Sequence, residues 1–465
     1  MEIKDLEKKL KITKKSAWEL NKENIENIFE FAEEYKKFLD FAKTERKAFD
    51  YILNIAKEHG FSDYKNSNEK FIVSNRGKSL ALVKLGKNSI ENGIKFIVSH
   101  IDSPRLDLKQ NPLFEDVGVG LLRTHYYGGI KKYHWVSIPL SLYGTFIKEN
   151  GEKLEIVIGE DDNDPVFTIA DLLPHLARKT QGEKKVFEAI PGEKLVVMFG
   201  GIPLTNEDDE IKEAIKLNIL KILNEKYNLV EEDFLSAEVE IVPCFKARDV
   251  GIDRSFIGAY GQDDRVCAFT SLKAFFDSLN SDDTIVALFA DKEEIGSDGN
   301  TGAKARFLEY VVSKILEKKF ENPSEFLLKE VLFNSRAVSA DVNGAVNPVY
   351  QDVHEKQNAA IIGYGVCVTK FTGSGGKYSA NDAHAEFMGW IRKILNKNNV
   401  VWQTGELGKV DEGGGGTVAK FLAEYGMDVI DIGTALLGMH SPFEISSKAD
   451  VYETYKAYKA FYNEN

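Results

Sequence analysis

The sequence predicts an α/β protein: a mostly parallel sheet flanked by helices, with a β-rich domain inserted into it. The first observation is that short apolar runs, typical of strands buried on both faces, alternate with helical patterns in the two outer parts of the chain. The second is that the stretch between them has short strand-like runs with scattered glycine and proline. The 465 residues also exceed the usual size of one domain. We therefore predict a discontinuous α/β domain over 1–105 and 249–465, and an inserted domain over 106–248.

The predicted elements follow one another along the chain in this way. Apolar residues at helical spacing predict one or two helices over 25–59, and alternation around Asn75-Arg76-Gly77 predicts a hairpin over 70–86. Buried strands are predicted at 94–100, 284–290, 337–340, 400–404 and 429–433, and helices at 265–279, 302–318, 380–396 and 417–425. In the insertion, the strand-like runs are 135–146, 154–160 and 195–200, and a helix is predicted at 214–226.

Composition and charge argue against several classes of protein. With 60 basic and 73 acidic residues, the formal net charge of -13 repels nucleic acid and anionic membrane surfaces. The cysteines Cys244, Cys267 and Cys367 form no CxxC motif, so they predict neither a disulfide framework nor a thiolate zinc site. No apolar stretch is long enough for a membrane helix or resembles a signal-peptide core. We therefore predict a cytoplasmic protein without membrane or nucleic-acid partners.

A histidine and an acid stand at the end of the first predicted buried strand. His100 ends the run 94–100, and Asp102 follows two positions later. If the strand continues, both side chains point the same way, and the acid can orient the imidazole. His100 is therefore a candidate metal ligand supported by Asp102. The alternative is a strand-end histidine that is simply satisfied by a turn carboxylate.

Two pairs of adjacent acids come next. Asp263 and Asp264 precede the predicted helix 265–279, where acids are also favoured merely as helix caps. Glu293 and Glu294 come shortly after the predicted strand 284–290. Adjacent side chains leave a strand on opposite sides, so one glutamate can bind a metal while the other faces the substrate. A pair of solvated loop glutamates is the alternative, although ligands collect at the carboxyl ends of strands in α/β sheets.

Asp341 and His440 complete a set of metal-binding side chains. Asp341 follows the predicted strand 337–340, and His440 comes a short loop after the strand 429–433. Together with His100, Asp263 and Glu294, they offer nitrogen and oxygen donors at strand ends or helix starts. Such a set suits two adjacent divalent cations that share one carboxylate, as in two-metal hydrolases. The histidines favour Zn²⁺, with Mn²⁺ and Co²⁺ as alternatives.

Five motifs resemble, in the same order, those of the aspartyl aminopeptidase and vacuolar aminopeptidase family of cocatalytic zinc exopeptidases. They are SHIDSP at 99–104, GQDDRVCA at 261–268, DKEEIGS at 291–297, SADVNGAVNPVY at 339–350 and MHSP at 439–442. The resemblance spans almost the whole chain and is closest to a bacterial-type member. It implies a di-zinc exopeptidase-like fold and a metal-dependent aminopeptidase that removes N-terminal residues from small peptides.

The resemblance also implies a role for each member of the set. The terminal metal ligands would be His100, Glu294, Asp341 and His440. The bridging ligand would be Asp263, with Asp264 as the alternative. Asp102 would orient His100, and Glu293 would be the general base. The last role is chemically reasonable, because a carboxylate that is not a ligand can accept a proton from the attacking water and pass it to the leaving amine.

Substrate contacts are implied for Lys370 and Tyr378, with Lys377 as an alternative cation. A lysine at this place suits an acidic N-terminal side chain. Relatives that prefer acidic residues, however, carry a histidine three positions after the counterpart of Asp341, where this chain has Gly344. The expectation is therefore an acidic preference, with a broader preference as the alternative.

The resemblance finally implies a homo-oligomer. His175 matches a position that reaches the active site of a neighbouring subunit. The inserted domain would act as a dimerisation domain, and the dimers would assemble into a tetrahedral dodecamer.

A run of glycines suggests a second kind of function. Gly413–Gly416 precedes a predicted helix, and its N–H groups could cradle a phosphate. The run has neither the P-loop lysine nor a GxGxxG pattern, which favours a tight turn beside the active site. The alternative function is an anion- or nucleotide-binding protein without peptidase activity.

Overall fold

The computed structural model describes residues 3–12, 14–205 and 211–464. In these ranges the α-helices are α1 Ile3–Leu10, α2 Ala17–Leu20, α3 Ile25–Phe41, α4 Glu45–Glu58, α5 Pro174–Ala177, α6 Val186–Ala189, α7 Ala214–Tyr227, α8 Gln262–Phe276, α9 Phe307–Lys319, α10 Glu325–Phe333, α11 Ala385–Lys397, α12 Ala419–Ala423 and α13 Lys448–Asn463. The strands are β1 Ser62–Asp63, β2 Lys70–Asn75, β3 Ser79–Lys84, β4 Lys95–His100, β5 Arg105–Asp116, β6 Val119–Tyr127, β7 Leu140–Ile147, β8 Lys153–Ile158, β9 Val196–Gly200, β10 Glu238–Pro243, β11 Arg248–Val250, β12 Phe256–Ala259, β13 Ile285–Ala290, β14 Arg336–Ser339, β15 Asn343–Gly344, β16 Val366–Thr369, β17 Trp402–Thr404, β18 Asp428–Gly433, β19 Ala435–Leu436 and β20 Glu444–Ser447.

A large sheet organises the first of two compact units. This unit consists of the chain up to Asp102, Ala247–Met439 and the chain from Phe443 onward. In the described part of the chain the sheet has the strand order β1-β2-β3-β13-β4-β14-β18-β16-β17. The neighbours β13, β4, β14 and β18 are parallel to one another. The carboxyl ends of these strands therefore meet at one edge of the sheet, where side chains from distant parts of the sequence come together.

Helices bury both faces of this sheet. Successive residues of β4 show it, because Phe96 and Val98 pack in one apolar cluster and Ile97 packs in another. The cluster that contains Ile97 draws on α3, α4, α8, α11 and α13, and the other draws on α9, α10 and α12. The continuous apolar run of β4 follows from this two-sided burial. Each fully buried large apolar side chain contributes about 1.5–3 kcal/mol. The predicted α/β class with a mostly parallel sheet is confirmed.

The second compact unit comprises Ser103–Lys246 together with His440–Pro442. Its sheet has the order β8-β7-β10-β5-β6-β9, and the strand pairs described in it are antiparallel. The strands of this unit account for the strand-like runs in the sequence, and the connections between them account for the scattered glycine and proline. The boundaries at 106 and 248, and the role of this stretch in dimerisation, stay predictions.

Some predicted elements are shorter than expected. The run 135–146 is a strand only from Leu140, because Ser137 adopts a positive φ of 59° and Pro139 has no N–H for a ladder. The predicted helix 302–318 begins at Phe307, after Arg306 in the left-handed region. The helix predicted at 380–396 begins at Ala385, because the ring of His384 accepts the N–H of Phe387 at 3.3 Å and caps it. Of the helices in the described ranges, none combines the length and apolar character that a membrane crossing needs.

Candidate metal centre

Three adjacent parallel strands deliver polar side chains to the carboxyl edge of the large sheet. His100 is the last residue of β4. Glu293 and Glu294 lie in a short 3-10 turn that follows β13, and Asp341 comes two residues after β14 ends. Because β13, β4 and β14 are neighbours in the sheet, these side chains converge although they are far apart in sequence.

The acids at the start of α8 lie close to these side chains. Gly261 takes a positive φ of 73° ahead of the helix, and Asp263 and Asp264 have non-helical backbone angles in its first turn. The N–H of His100 donates to Asp264 Oδ2 at 3.3 Å, which ties this turn to the end of β4. The acids are therefore more than ordinary helix caps.

The described residues form three overlapping groups that could hold a metal ion. They are His100 with Glu293 and Asp341, His100 with Asp263 and Glu294, and Asp263 with Asp264 and Asp341. Within each group the ligand atoms lie within 4.8 Å of one another. His100, Asp263 and Asp341 each belong to two groups, so the three groups are one cluster.

The imidazole of His100 is held on both sides. Nδ1 lies 3.1 Å from the backbone oxygen of Asp102 and 3.3 Å from Asp102 Oδ1, while Nε2 lies 3.2 Å from Asp263 Oδ1. Burial disfavours a charged ring, but the neighbouring carboxylates of Asp102 and Asp263 raise the pKa of His100 well above its usual value. The contact at Nδ1 leaves Nε2 directed at the acids, which is the arrangement that a histidine ligand needs.

Asp102 connects the histidine to the glutamate pair. Its Oδ1 accepts the N–H of Glu293 at 3.1 Å, and its Oδ2 accepts the N–H of Glu294 at 3.2 Å. The residue is buried, so these hydrogen bonds form away from water. One carboxylate thus fixes the ring of His100 and the backbone of the turn that carries both glutamates.

The cluster holds more negative charge than its single imidazole can balance. Burial, and then repulsion from Asp264, raise the pKa of Asp341 well above its usual value, and burial also raises that of Asp264. A bound divalent cation would reduce the repulsion between carboxylates that are crowded in this way. Carboxylate oxygens and an imidazole nitrogen are ligands that Zn²⁺ accepts, so the residues present fit the metal.

Three supporting residues, Glu444, Gln262 and Arg265, were not found from the sequence. Glu444 Oε2 accepts the N–H of Asp263 at 3.1 Å, and Gln262 Nε2 donates to the backbone oxygen of Glu444 at 2.7 Å. Arg265, which is buried, donates to the backbone oxygen of Ile101 at 3.3 Å. The signal in the sequence was its position, since Glu444 follows His440 by four residues.

His440 and His175 both belong to the second unit. His440 is part of the segment His440–Pro442 of the second unit, and its Nδ1 lies 2.8 Å from the backbone oxygen of Gly129. Among the described residues, it belongs to none of the three groups. His175 lies in α5 and is exposed.

The predicted substrate contacts lie on a loop of the first unit. Lys370 and Tyr378 are exposed and flank the turn in which the N–H of Tyr378 donates to the backbone oxygen of Ser374 at 3.1 Å. The side chain of Thr369, just before Lys370, accepts from Asn343 Nδ2 at 2.8 Å. Asn343 comes two residues after Asp341. The loop therefore begins beside Thr369, which is hydrogen-bonded to the segment that carries Asp341.

The glycine run packs its backbone against two other backbone segments. The N–H of Gly373 donates to the backbone oxygen of Gly415 at 2.5 Å. A Cβ added at Gly414, where φ is 110°, would lie 1.7 Å from the oxygen of Gly373, and one at Gly413 would lie 2.1 Å from the oxygen of Leu407. The run therefore supports the loop from Lys370 to Tyr378 rather than forming an open cradle.

These observations define a class: an α/β protein with a buried cluster of acids and a histidine, suited to divalent cations, at the carboxyl edge of its sheet. The sequence matches the profile of the Aminopeptidase I zinc metalloprotease (M18) family over residues 38–462. The chain belongs to this family and is a zinc aminopeptidase.

Individual relatives agree with this assignment. The chain is 53 % identical over 456 residues to a probable M18 family aminopeptidase 1 of Thermotoga maritima, which covers 97 % of this chain and 99 % of the relative. A crystal structure of an M18 aminopeptidase from Thermotoga maritima matches with a TM-score of 0.93 and 52 % identity, covering 98 % of this chain and 100 % of that one. A dodecamer structure of mApe1 from S. cerevisiae shares the fold, with a TM-score of 0.73, 21 % identity and coverage of 92 % and 95 %.

Proposed function

We propose that this aminopeptidase hydrolyses the first peptide bond of small peptides with two divalent cations, Zn²⁺ in the first place. The cations would be held by His100, Asp263, Glu294 and Asp341. The observation that supports this proposal is the overlap of the three ligand groups, which share His100, Asp263 and Asp341. Asp263 is the best candidate for a shared ligand because its carboxylate can contact both His100 and the acids of the third group. His440 stays a predicted ligand from the resemblance.

The catalytic roles follow from the contacts of the remaining acids. When bound, the cations would supply Lewis acidity towards a water molecule and the scissile carbonyl. Glu293 would accept a proton from the attacking water at its carboxylate and deliver it to the leaving amine. Asp102 would keep Nε2 of His100 directed at the cluster and hold the turn that positions Glu293. Asp102 is therefore a positioning residue.

Metal analysis tests this proposal directly. The protein purified with ZnCl₂ in its buffers is expected to carry about two equivalents of zinc per chain, as in other two-metal hydrolases. Dialysis against a chelator should remove the zinc and abolish hydrolysis of alanine and leucine amides, and added Zn²⁺, Mn²⁺ or Co²⁺ should restore it. Elemental analysis and the amide assay measure the two effects. Full activity in a metal-free preparation would contradict the proposal.

The alternative, an anion-binding protein centred on the glycine run, is not favoured. Gly413 and Gly414 are in close contact with the backbone at Leu407 and Gly373. In addition, the carboxylate of Asp431 is buried and lies near the side chain of Thr417, at the end of the run. Burial raises the pKa of Asp431 to about 6, so it is ionised at neutral pH and would repel an anion beside it.

Substituting two neighbouring glycines separates the two interpretations of the run. Gly414→Ala is expected to lower kcat/KM by about 10- to 100-fold, because its Cβ would displace the oxygen of Gly373 and with it the substrate loop. Gly415→Ala is the matched control, since its Cβ would meet only the flexible side chain of Leu407 at 4.0 Å. Kinetics on aminoacyl amides measure both variants. If Gly414→Ala were as active as the wild type, the glycine run would not be needed to support the substrate loop.

The substrate and the assembly are also proposed on chemical grounds. Lys370 and Tyr378 would contact the first residue of the peptide, with an acidic residue accepted among others. Exposed apolar side chains on and beside α5 and α6, which are Leu172, Leu173, Leu176, Val186 and Phe187, would be buried by a second copy of the chain. This proposal favours a homo-oligomer built through the second unit, with His175 in the contact and a dodecamer as in the S. cerevisiae relative. The cytoplasmic location stays a prediction.

A further inference from the structure

Two lysines on the substrate loop share one carboxylate. Lys370 Nζ donates to Asp382 Oδ1, and Lys377 Nζ donates to Asp382 Oδ2 at 2.9 Å. Hydrogen bonds from these lysines lower the pKa of Asp382, so it is ionised at neutral pH. The sequence alone predicts the two lysines as substrate contacts but gives no sign of this partner.

The backbone keeps Asp382 in this place. Asn381 Nδ2 donates to the oxygen of Val429 in β18 at 2.6 Å, and the N–H of Ala383 donates to the oxygen of Lys370 at 2.8 Å. Phe371 and Asp382 form an isolated antiparallel bridge between these contacts. The carboxylate is therefore positioned by secondary structure and does not depend on a chance meeting of long side chains.

The shared carboxylate changes the charge that a substrate meets. The three side chains together carry one net positive charge, whereas the lysines alone would carry two. Lys370 and Asp382 are each 44 % exposed and Lys377 is 43 % exposed, so all three are accessible to a ligand. An acidic N-terminal side chain must compete with Asp382 for its lysine, but a neutral side chain does not.

We propose that Asp382 is a specificity-determining residue that weakens the selection of acidic N-terminal residues and makes the preference of this aminopeptidase broad. The proposal rests on the proposed function, which assigns the loop from Lys370 to Tyr378 to the substrate. In the wild type, aspartyl and glutamyl substrates are then cleaved at rates comparable with alanyl and leucyl substrates. The carboxylate also offers a partner to an N-terminal lysine or arginine side chain.

Asp382→Asn tests this role, because asparagine keeps the shape of the side chain and removes its charge. The measured quantity is the ratio of kcat/KM on glutamyl amide to kcat/KM on leucyl amide. We expect this ratio to rise about fivefold, the size of one charge interaction at a partly exposed site. The gain should shrink in high salt. An unchanged or lower ratio would overturn the proposal and leave Asp382 with the structural task of holding the loop.

Asp277→Asn is the matched control. Asp277 is also an exposed acid, 46 % accessible, and it pairs with Lys459 at 3.4 Å away from the substrate loop. Its variant has the same change in net charge, so the ratio should equal that of the wild type. An equal gain in both variants would mean that net charge, and not Asp382, changes selectivity.

Double variants identify the lysine that is released. The gain should disappear when Asp382→Asn is combined with Lys370→Met, or with Lys377→Met if that lysine receives the substrate. A gain that survives both combinations would contradict the proposal. Hydrolysis of leucyl amide by the wild type tests the proposed function separately. If the wild type does not hydrolyse leucyl amide, the proposed aminopeptidase mechanism is wrong. If it does, but Asp382→Asn leaves the ratio of kcat/KM values unchanged, only the role of Asp382 is refuted.

Discussion

Glu293→Gln is expected to keep its metal ions while turnover falls by about 10²- to 10⁴-fold, the usual contribution of a general base. Glutamine has the shape of glutamate, and the backbone N–H at this position still donates to Asp102 Oδ1. Its amide, however, cannot take a proton from water and return it to the leaving amine. The loss should therefore appear in kcat, with a smaller change in KM.

The geometry makes this variant a sharp test. Glu293 forms a potential ligand group with His100 and Asp341, and Glu294 forms another with His100 and Asp263. If Glu293 were a ligand, its glutamine variant would lose metal as well as activity. Glu294→Gln, one residue later in the same turn, is the comparison and should lower the zinc content. Elemental analysis of both proteins distinguishes the roles, and a fully active Glu293→Gln enzyme would end the assignment of Glu293 as the base.

The positions of the candidate site residues could be predicted where strands are buried on both faces. Apolar runs before His100, Glu293 and Asp341 predict strands of a parallel sheet, and parallel strands of one sheet end at one edge. The order of β13, β4 and β14 could not be read from the sequence, since many pairings satisfy equally apolar strands. The two hydrogen bonds that Asp102 accepts could not be predicted either, because they depend on where the turn after β13 lies in the folded chain.

Other elements lacked a clear pattern. Helix α13 was not predicted from the sequence, because the apolar residues of its buried face stand among lysines and acids; they include Ala457, Tyr458, Phe461 and Tyr462. The buried polar residues of the same helix need partners from other parts of the chain: Asp450, for example, accepts the N–H groups of Gly363 at 2.6 Å and Gly365 at 2.7 Å. The contact of Asp382 with two lysines also depends on tertiary structure, because an isolated bridge between Phe371 and Asp382 brings these residues together. Pairings of this kind follow from tertiary structure.

Asp263→Ala is expected to remove metal binding and reduce hydrolysis to background. In the proposed site both cations would use its carboxylate as a ligand, so its loss would weaken both ligand sets. Asp264→Ala is the comparison, because Asp264 is the adjacent alternative and contacts the N–H of His100 at 3.3 Å. We expect Asp264→Ala to retain more zinc than Asp263→Ala, and the reverse order would transfer the bridging role to Asp264.

Thermal unfolding gives a readout of Asp263 that does not depend on activity. A ligand that binds only the folded protein stabilises it by about 2.7 kcal/mol when its concentration is 100 times Kd. The Tm of the chelator-treated wild type should therefore rise on addition of ZnCl₂, whereas that of Asp263→Ala should change little. Without metal, the variant loses an acid that repels Asp264 and Asp341 but also a partner of His100 at 3.2 Å, so these effects offset each other. The difference between the two proteins should thus lie in their response to zinc, and an equal rise in Tm would mean that Asp263 does not bind it.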